Sequence, residues 1–324
     1  MDLPDSLRMA LAHELETIPR KQVAEAAADL SLHYREGHAA RESSFLHSQT
    51  DVVAYAAYRM PATYAAVYAA LDEVRKRRPG WQPHTLLDAG SGPGTAMWAA
   101  NEVWPDIEEI TLLEREETMM AFGKQLARYT NTAALRQANW KKVDLLGRWE
   151  SEPQELVTTT YVLGELPQAK RESFINKLWS ITADTLVVIE PGTPAGFAHI
   201  RKARQDLIAA GASVIAPCPH NLSCPMTGND WCHFSQRISR TQLHRQIKKA
   251  VLSYEDEKFS YVVLSRSKGL PIGGRVIRHP QIRPGNIHLE LCTPEGLRST
   301  IVTRRDKAAF REARDLKWGD SLSL

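Results

Sequence analysis

The chain has 324 residues, 43% of them apolar, and a formal net charge of +3. That is enough apolar sequence to bury a substantial core, so neither disulfides nor a metal are needed merely to fold it. No apolar run reaches the roughly 18 residues of a transmembrane helix, which excludes a membrane-spanning segment of that kind. The opening stretch, MDLPDSLRMALAHELETIP, interleaves acids with a helical pattern. It resembles neither a secretory signal nor an acid-poor transit peptide, so a monomeric protein of a bacterial cytoplasm is expected. Charge is unevenly spread: Arg237 to Lys317 holds 18 Lys or Arg against 8 Asp or Glu, a local +10, leaving −7 elsewhere. Such asymmetry points to a polyanionic partner, nucleic acid first, facing the C-terminal half.

Residues 1–80 read as an N-terminal helical region. Asp51 is a plausible cap for VVAYAAYRM, Pro61 is expected to interrupt, and ATYAAVYAALDEVRKRR resumes to a basic last turn before Pro79-Gly80. From His84 the pattern changes. HTLLDAG (84–90), EITLLE (109–114), AALRQA (133–138), ELVTTTYV (155–162) and TLVVIE (185–190) read as short buried strands separated by helical stretches. Alternating strands and helices imply βαβ units and a parallel sheet over 81–195. A Cys-rich insertion follows over 196–250. FSYVVLSR (259–266) and IHLELC (287–292) then return as strands within 251–292, and 293–324 forms a basic C-terminal extension.

LLDAGSGPGTAMWAA (86–100) places a strand end at Asp88 and glycines at 90, 92 and 94 around Ser91. Glycine is required where the backbone turns at positive φ or approaches a ligand. The spacing is neither the dinucleotide G-x-G-x-x-G nor a P-loop, which ends in GK[ST]. It resembles motif I of class I S-adenosylmethionine (SAM)-dependent methyltransferases. That resemblance implies a Rossmann-like SAM-binding sheet, with Asp88, Gly90, Ser91, Gly92 and Gly94 around the cofactor. Glu114, ending the next strand, would take the ribose hydroxyls. Asn139 and Trp140, at the expected end of the third strand, would lie near the adenine, although Trp140 reads equally as a core residue. The methyl would face the segment beginning at Tyr161. The Asn/Asp/Ser-Pro-Pro-aromatic motif of amine methyltransferases is absent; TTTYVLGELP stands there, and no cysteine lies near as a nucleophile.

The four cysteines are spaced Cys218-x5-Cys224-x7-Cys232-x59-Cys292. Four thiols with no spare match one tetrahedral site in a reducing compartment. Three cysteines in a loop bearing Pro, Asn and Gly cannot all be core residues. The set serves structural zinc or a [4Fe–4S] cluster. The local gaps miss the short knuckles zinc prefers and suit a wider body. His220 and His233 are further donors, better read as neighbours while four thiols are available.

Several segments together resemble the methyltransferase-like ribosomal small-subunit assembly factors of mitochondria and their bacterial relatives. They are AYAAYRMPATYAAVYAAL (54–71), the glycine loop, YVLGELP (161–167), EPGTPAGF (190–197), APCPHNLSCPM with DWCHFSQRISR (216–240), YEDEKFSYVVLSR (254–266) and the end from LCTPEGLRST to LKWGD (291–320). The resemblance implies association with small-subunit ribosomal RNA during assembly, a SAM pocket, and a [4Fe–4S] cluster on Cys218, Cys224, Cys232 and Cys292. It leaves open an rRNA methyltransferase and a non-catalytic RNA-binding chaperone.

Overall fold

A computed structural model describes residues 1–35, 48–239 and 253–322. The end of the expected insertion, 240–252, lies outside the described residues. Five parallel strands form the heart of the first sheet: β1 (Thr85–Ala89), β2 (Glu109–Glu114), β3 (Asn139–Lys142), β4 (Gln154–Thr160) and β5 (Thr182–Pro191). β8 (Tyr254–Ser265) runs antiparallel beside β5. β6 (Ser213–Ala216) and β7 (Phe234–Ser239) pair antiparallel with successive stretches of β8. The order β3-β2-β1-β4-β5-β8-β6, with one antiparallel strand next to last, is the mixed α/β sheet of class I SAM-dependent methyltransferases. The strand order reverses direction at β1, and the crevice there is where such sheets bind ligands.

Adjacent residues of the central strands feed opposite layers, as buried parallel strands must. Leu86, Leu112, Leu156 and Val187 face one core; Leu87, Leu113, Val157 and Val188 face the other. The first core is covered by α1 (Asp5–Glu16), α3 (Gln49–Arg77), α4 (Thr95–Val103) and α5 (Glu117–Ala127). The second is covered by α7 (Gln168–Ser180) and α8 (Pro194–Ala209). Helix α2 (Arg20–Arg35) packs beside α3. Among the described residues no helix is long and apolar enough to cross a membrane.

Several features differ from expectation. Pro61 does not interrupt α3, which runs through it between the fully buried Met60 and Ala62. Only the hydrogen bond that residue 61 would give to Ala57 is lost, and packing on both sides outweighs it. Asp51 is not the cap but its partner: Ser48 caps α3, accepting from Asp51 N–H at 3.1 Å while the Asp51 carboxylate accepts from Ser48 N–H at 2.9 Å. AALRQA forms a helical turn, α6 (Ala133–Arg136), in keeping with its Ala, Leu and Arg content. β3 therefore starts where the sequence pattern expected it to end.

IHLELC does not join the first sheet. It lies in β11 (Asn286–Thr293) of a second, five-stranded sheet with β9 (Gly274–Val276), β10 (Gln281–Arg283), β12 (Gly296–Thr303) and β13 (Ser321–Leu322). Both edges of β8 are already taken, and β11 pairs along its full length with β12 through a tight turn at Pro294-Glu295. Gly296 closes that turn at φ +125°. Helix α9 (Lys307–Asp315) lays Phe310 and Ala313 onto Ile287, Leu289 and Leu291.

Candidate functional site

The glycine loop is built for close approach. Gly90, Gly92 and Gly94 sit at φ +80°, +53° and +80°, where side chains are disfavoured. A Cβ on Gly90 would stand 2.4 Å from Val162 Cγ2, whereas one on Gly92 would meet no atom within 4 Å. Gly92 therefore borders open space. Leu113 C=O accepts from Gly90 N–H at 2.9 Å and Ser91 N–H at 3.1 Å, tying the loop to β2. The Glu114 carboxylate accepts from the N–H groups of Gly92 (2.8 Å), Arg115 (2.8 Å) and Glu116 (2.9 Å), which fixes it at the loop's mouth. The buried hydroxyls of Ser91 and Thr160 have no hydrogen-bond partner among the described residues. A fixed carboxylate, two orphaned hydroxyls and open space over Gly92 fit a polar nucleoside such as that of SAM.

Asp88 is sealed beneath the loop, and its carboxylate accepts from Thr158 Oγ1 at 2.7 Å. Burial pushes its pKa up to about 7; the Thr158 hydrogen bond opposes the shift and the Glu114 charge adds to it.

Asn139 and Trp140 begin β3 rather than end it. Asn139 is exposed, and the Trp140 ring packs on Gly94 and Gly123, joining the first core. The carboxyl end of β3 leads through the exposed Asp144 to Leu145, whose Cδ1 lies 3.5 Å from a Cβ position on Gly90.

Tyr161 holds φ +60°, a strained setting for a side-chain-bearing residue. Its hydroxyl donates to Glu257 Oε1 at 2.8 Å, and Arg59 of α3 bonds the same oxygen at 3.3 Å. Glu190, buried at the end of β5, accepts from Leu163 N–H at 2.8 Å and Gly164 N–H at 3.2 Å. It thereby fixes the segment that follows β4. His199 Nδ1 lies 3.3 Å from the same carboxylate, and Arg171 contacts the other ring nitrogen. Arg59, Glu190 and Glu257 each lie in a segment that carries the family resemblance, but only the fold reveals their convergence.

The four cysteines come from both sheets and line one cavity of about 30 Å³ with Phe197, Arg204 and Met226. Cys218, Cys224 and Cys232 lie on the loop between β6 and β7, and Cys292 lies on β11. All four are free thiols. Burial raises Cys232 well above the usual thiol range, and repulsion from Cys218, Cys224 and Cys292 adds to it. Burial and the thiols of Cys218 and Cys224 push Cys292 up to about 12. Four sulfurs lining one cavity, Cys292 buried and the other three half-buried, are a donor set suited to a thiophilic cation or cluster. Among the described residues no three His, Cys, Asp or Glu side chains gather as tightly as one metal ion requires. His220 Nε2 lies 3.9 Å from Cys292 Sγ. His233 stacks on Trp231 at 5.1 Å and meets Trp318 edge to face at 4.8 Å.

Residues 49–323 match the family described as "Mitochondrial small ribosomal subunit Rsm22". The human "Ribosome assembly protein METTL17, mitochondrial" is 32% identical over 299 residues, covering 83% of this chain and 62% of that protein. "Rsm22-cox11 tandem protein 2, mitochondrial" of Schizosaccharomyces pombe is 24% identical, covering 87% and 44%. "Ribosome assembly protein RSM22, mitochondrial" of Saccharomyces cerevisiae is 21% identical, covering 86% and 69%. The chain thus spans 44–69% of the length of these relatives. Among solved structures, the SAM-bound magnesium protoporphyrin IX methyltransferase of Synechocystis is similar at 14% identity and TM-score 0.43, covering 72% of this chain and 90% of that one. The relatives overturn the expected bacterial cytoplasm, since each is named as mitochondrial. The acids of the opening stretch belong to α1, folded onto the core through Leu7, Ala10 and Leu11, and say nothing of compartment. Matched from the first turn of α3 to the end of the second sheet, the chain belongs to the Rsm22 family.

Proposed function

We propose that the chain is a SAM-binding assembly factor of the small ribosomal subunit. In this reading Cys218, Cys224, Cys232 and Cys292 hold a [4Fe–4S] cluster, zinc being the alternative, and the basic second sheet meets small-subunit rRNA. The observation that carries it is the position of the thiol cavity, on the seam between a methyltransferase sheet and a basic one. When bound, a cluster supplies a cross-link between the sheets. The chain's own residues do the rest. Gly92 leaves room for the cofactor, Glu114 orients its ribose, and Asp144 stands by for the adenine.

Anaerobic purification followed by iron, sulfide and zinc determination tests the cavity. About four irons and four sulfides per chain are expected of a cubane; one zinc without sulfide would replace the cluster by a structural ion.

Methyl transfer to rRNA is the enzymatic form of this proposal. A non-catalytic chaperone is favoured by Tyr161, whose hydroxyl is committed to Glu257, itself held by Arg59. Gly92→Arg separates the two, because a side chain there fills the cofactor's space without touching the thiols. SAM binding, read by calorimetry, is expected to vanish. Assembly that survives the substitution supports the chaperone, and loss of a specific rRNA methyl mark supports the enzyme. Unchanged SAM affinity would refute the pocket.

A further inference from the structure

Two buried arginines flank the thiol cavity, one from each sheet's surroundings. Arg275 of β9 is 1% exposed and stands opposite Cys292 in the strand register. Its Nη1 donates to Glu73 Oε2 at 2.5 Å and to Gly319 C=O at 2.7 Å. Its Nε donates to Pro217 C=O, next to Cys218, at 2.9 Å. Arg275 is therefore neutralised by Glu73.

Arg204 of α8 differs. It is 5% exposed and lines the cavity itself. Its Nη2 donates to the carbonyl oxygens of His220 (2.7 Å) and Leu222 (2.8 Å), between Cys218 and Cys224. His220 Nδ1 lies 3.5 Å from the same nitrogen, and Nε has no hydrogen-bond partner among the described residues. None of these partners is a carboxylate. Burying a cation without a counter-charge is unfavourable, so its presence demands an anion close by. The sulfurs are the anions available. Four thiolates around a divalent ion leave a net charge of about −2, and an oxidised cubane leaves the same. An empty, protonated cavity would leave Arg204 stranded.

We propose that Arg204 is the counter-charge of a dianionic tetrathiolate centre, and that its grip on His220 and Leu222 sets the loop presenting Cys218 and Cys224. The proposal rests on reading the cavity as a metal or cluster site. It makes Arg204 a positioning residue rather than a ligand.

The test compares the native protein with Arg204→Met and Arg204→Lys. Each is purified without oxygen and assayed for iron, sulfide and zinc, for release of the centre under chelator challenge, and for thermal unfolding before and after stripping. Arg204→Met is expected to hold the centre roughly ten- to a hundredfold more weakly, the range for losing a partner just outside the ligand shell, and so to release it faster. Arg204→Lys, which keeps the charge, is expected to recover most of that retention. In the stripped protein the order reverses, and Arg204→Met unfolds no lower than native because its stranded cation is gone. Equal loss of melting temperature in loaded and stripped Arg204→Met would reduce Arg204 to a packing residue and overturn the proposal. So would release as fast from Arg204→Lys as from Arg204→Met. A native protein that holds no iron or zinc and develops no thiolate-to-metal absorption band with cobalt(II) would refute the site reading instead, and the counter-charge with it.

Discussion

Asp88 is a carboxyl group that the fold keeps dry. Its pKa rises from 3.8 to about 7 through burial under the glycine loop. Between those values the folded chain holds a proton that the unfolded chain has released. Stability from this group is therefore full below about pH 4, falls as pH rises, and is lost by about pH 7. One pKa unit corresponds to about 1.4 kcal/mol, so the whole span amounts to a few kcal/mol. Asp88→Asn keeps the acceptor for Thr158 and removes the titration. Its denaturant midpoint is expected to change less between pH 4.5 and 7.5 than that of the native chain. Identical slopes in the two proteins would mean that Asp88 ionises freely in the native state.

At the level of elements, the chain announced what was periodic and local and concealed what was long-range. β1, β2, β4 and β5 were legible because their Leu and Val runs are buried on both faces and end at turn residues. The glycine loop was legible because its turn has few chemical solutions. AALR misled because four residues carry too little periodicity, and its propensity settles it as helix. That slip moved β3, so that Asn139 and Trp140 begin it rather than end it. The second sheet escaped because β9, β10 and β13 have three, three and two residues, too short for any pattern. Counting cysteines nevertheless joined Cys292 to the other three across 59 residues, as the shared cavity has them. Arg204 was invisible, being one of two arginines in α8 until its burial and partners are known.

At the scale of the molecule, the question is what holds the second sheet to the first. Arg275 ties β9 to α3 through Glu73, to the thiol loop through Pro217 and to the C-terminal segment through Gly319. Trp231, His233, Trp318 and His279 form a chain of ring contacts along the same seam. The thiols complete it. Beyond the seam, Arg283, Arg298, Arg304, Arg305, Lys307, Arg311, Arg314 and Lys317 are exposed on the second sheet, on α9 and in the turns that flank α9. Clustered cations of this kind bind phosphates through counterion release, with affinity that falls steeply in salt. A triple charge reversal, Arg304→Glu with Arg305→Glu and Arg311→Glu, is expected to weaken binding to small-subunit rRNA. It should also flatten the salt dependence by roughly one unit of slope for each phosphate that is no longer neutralised. Stripping the thiol centre from the native chain should weaken rRNA binding too, because it loosens the seam that presents these cations together. Filter binding across a salt series, with circular dichroism on the same samples, reads both effects. If the stripped, folded chain bound rRNA with unchanged affinity and slope, the cavity would be a local brace and the basic surface would stand without it.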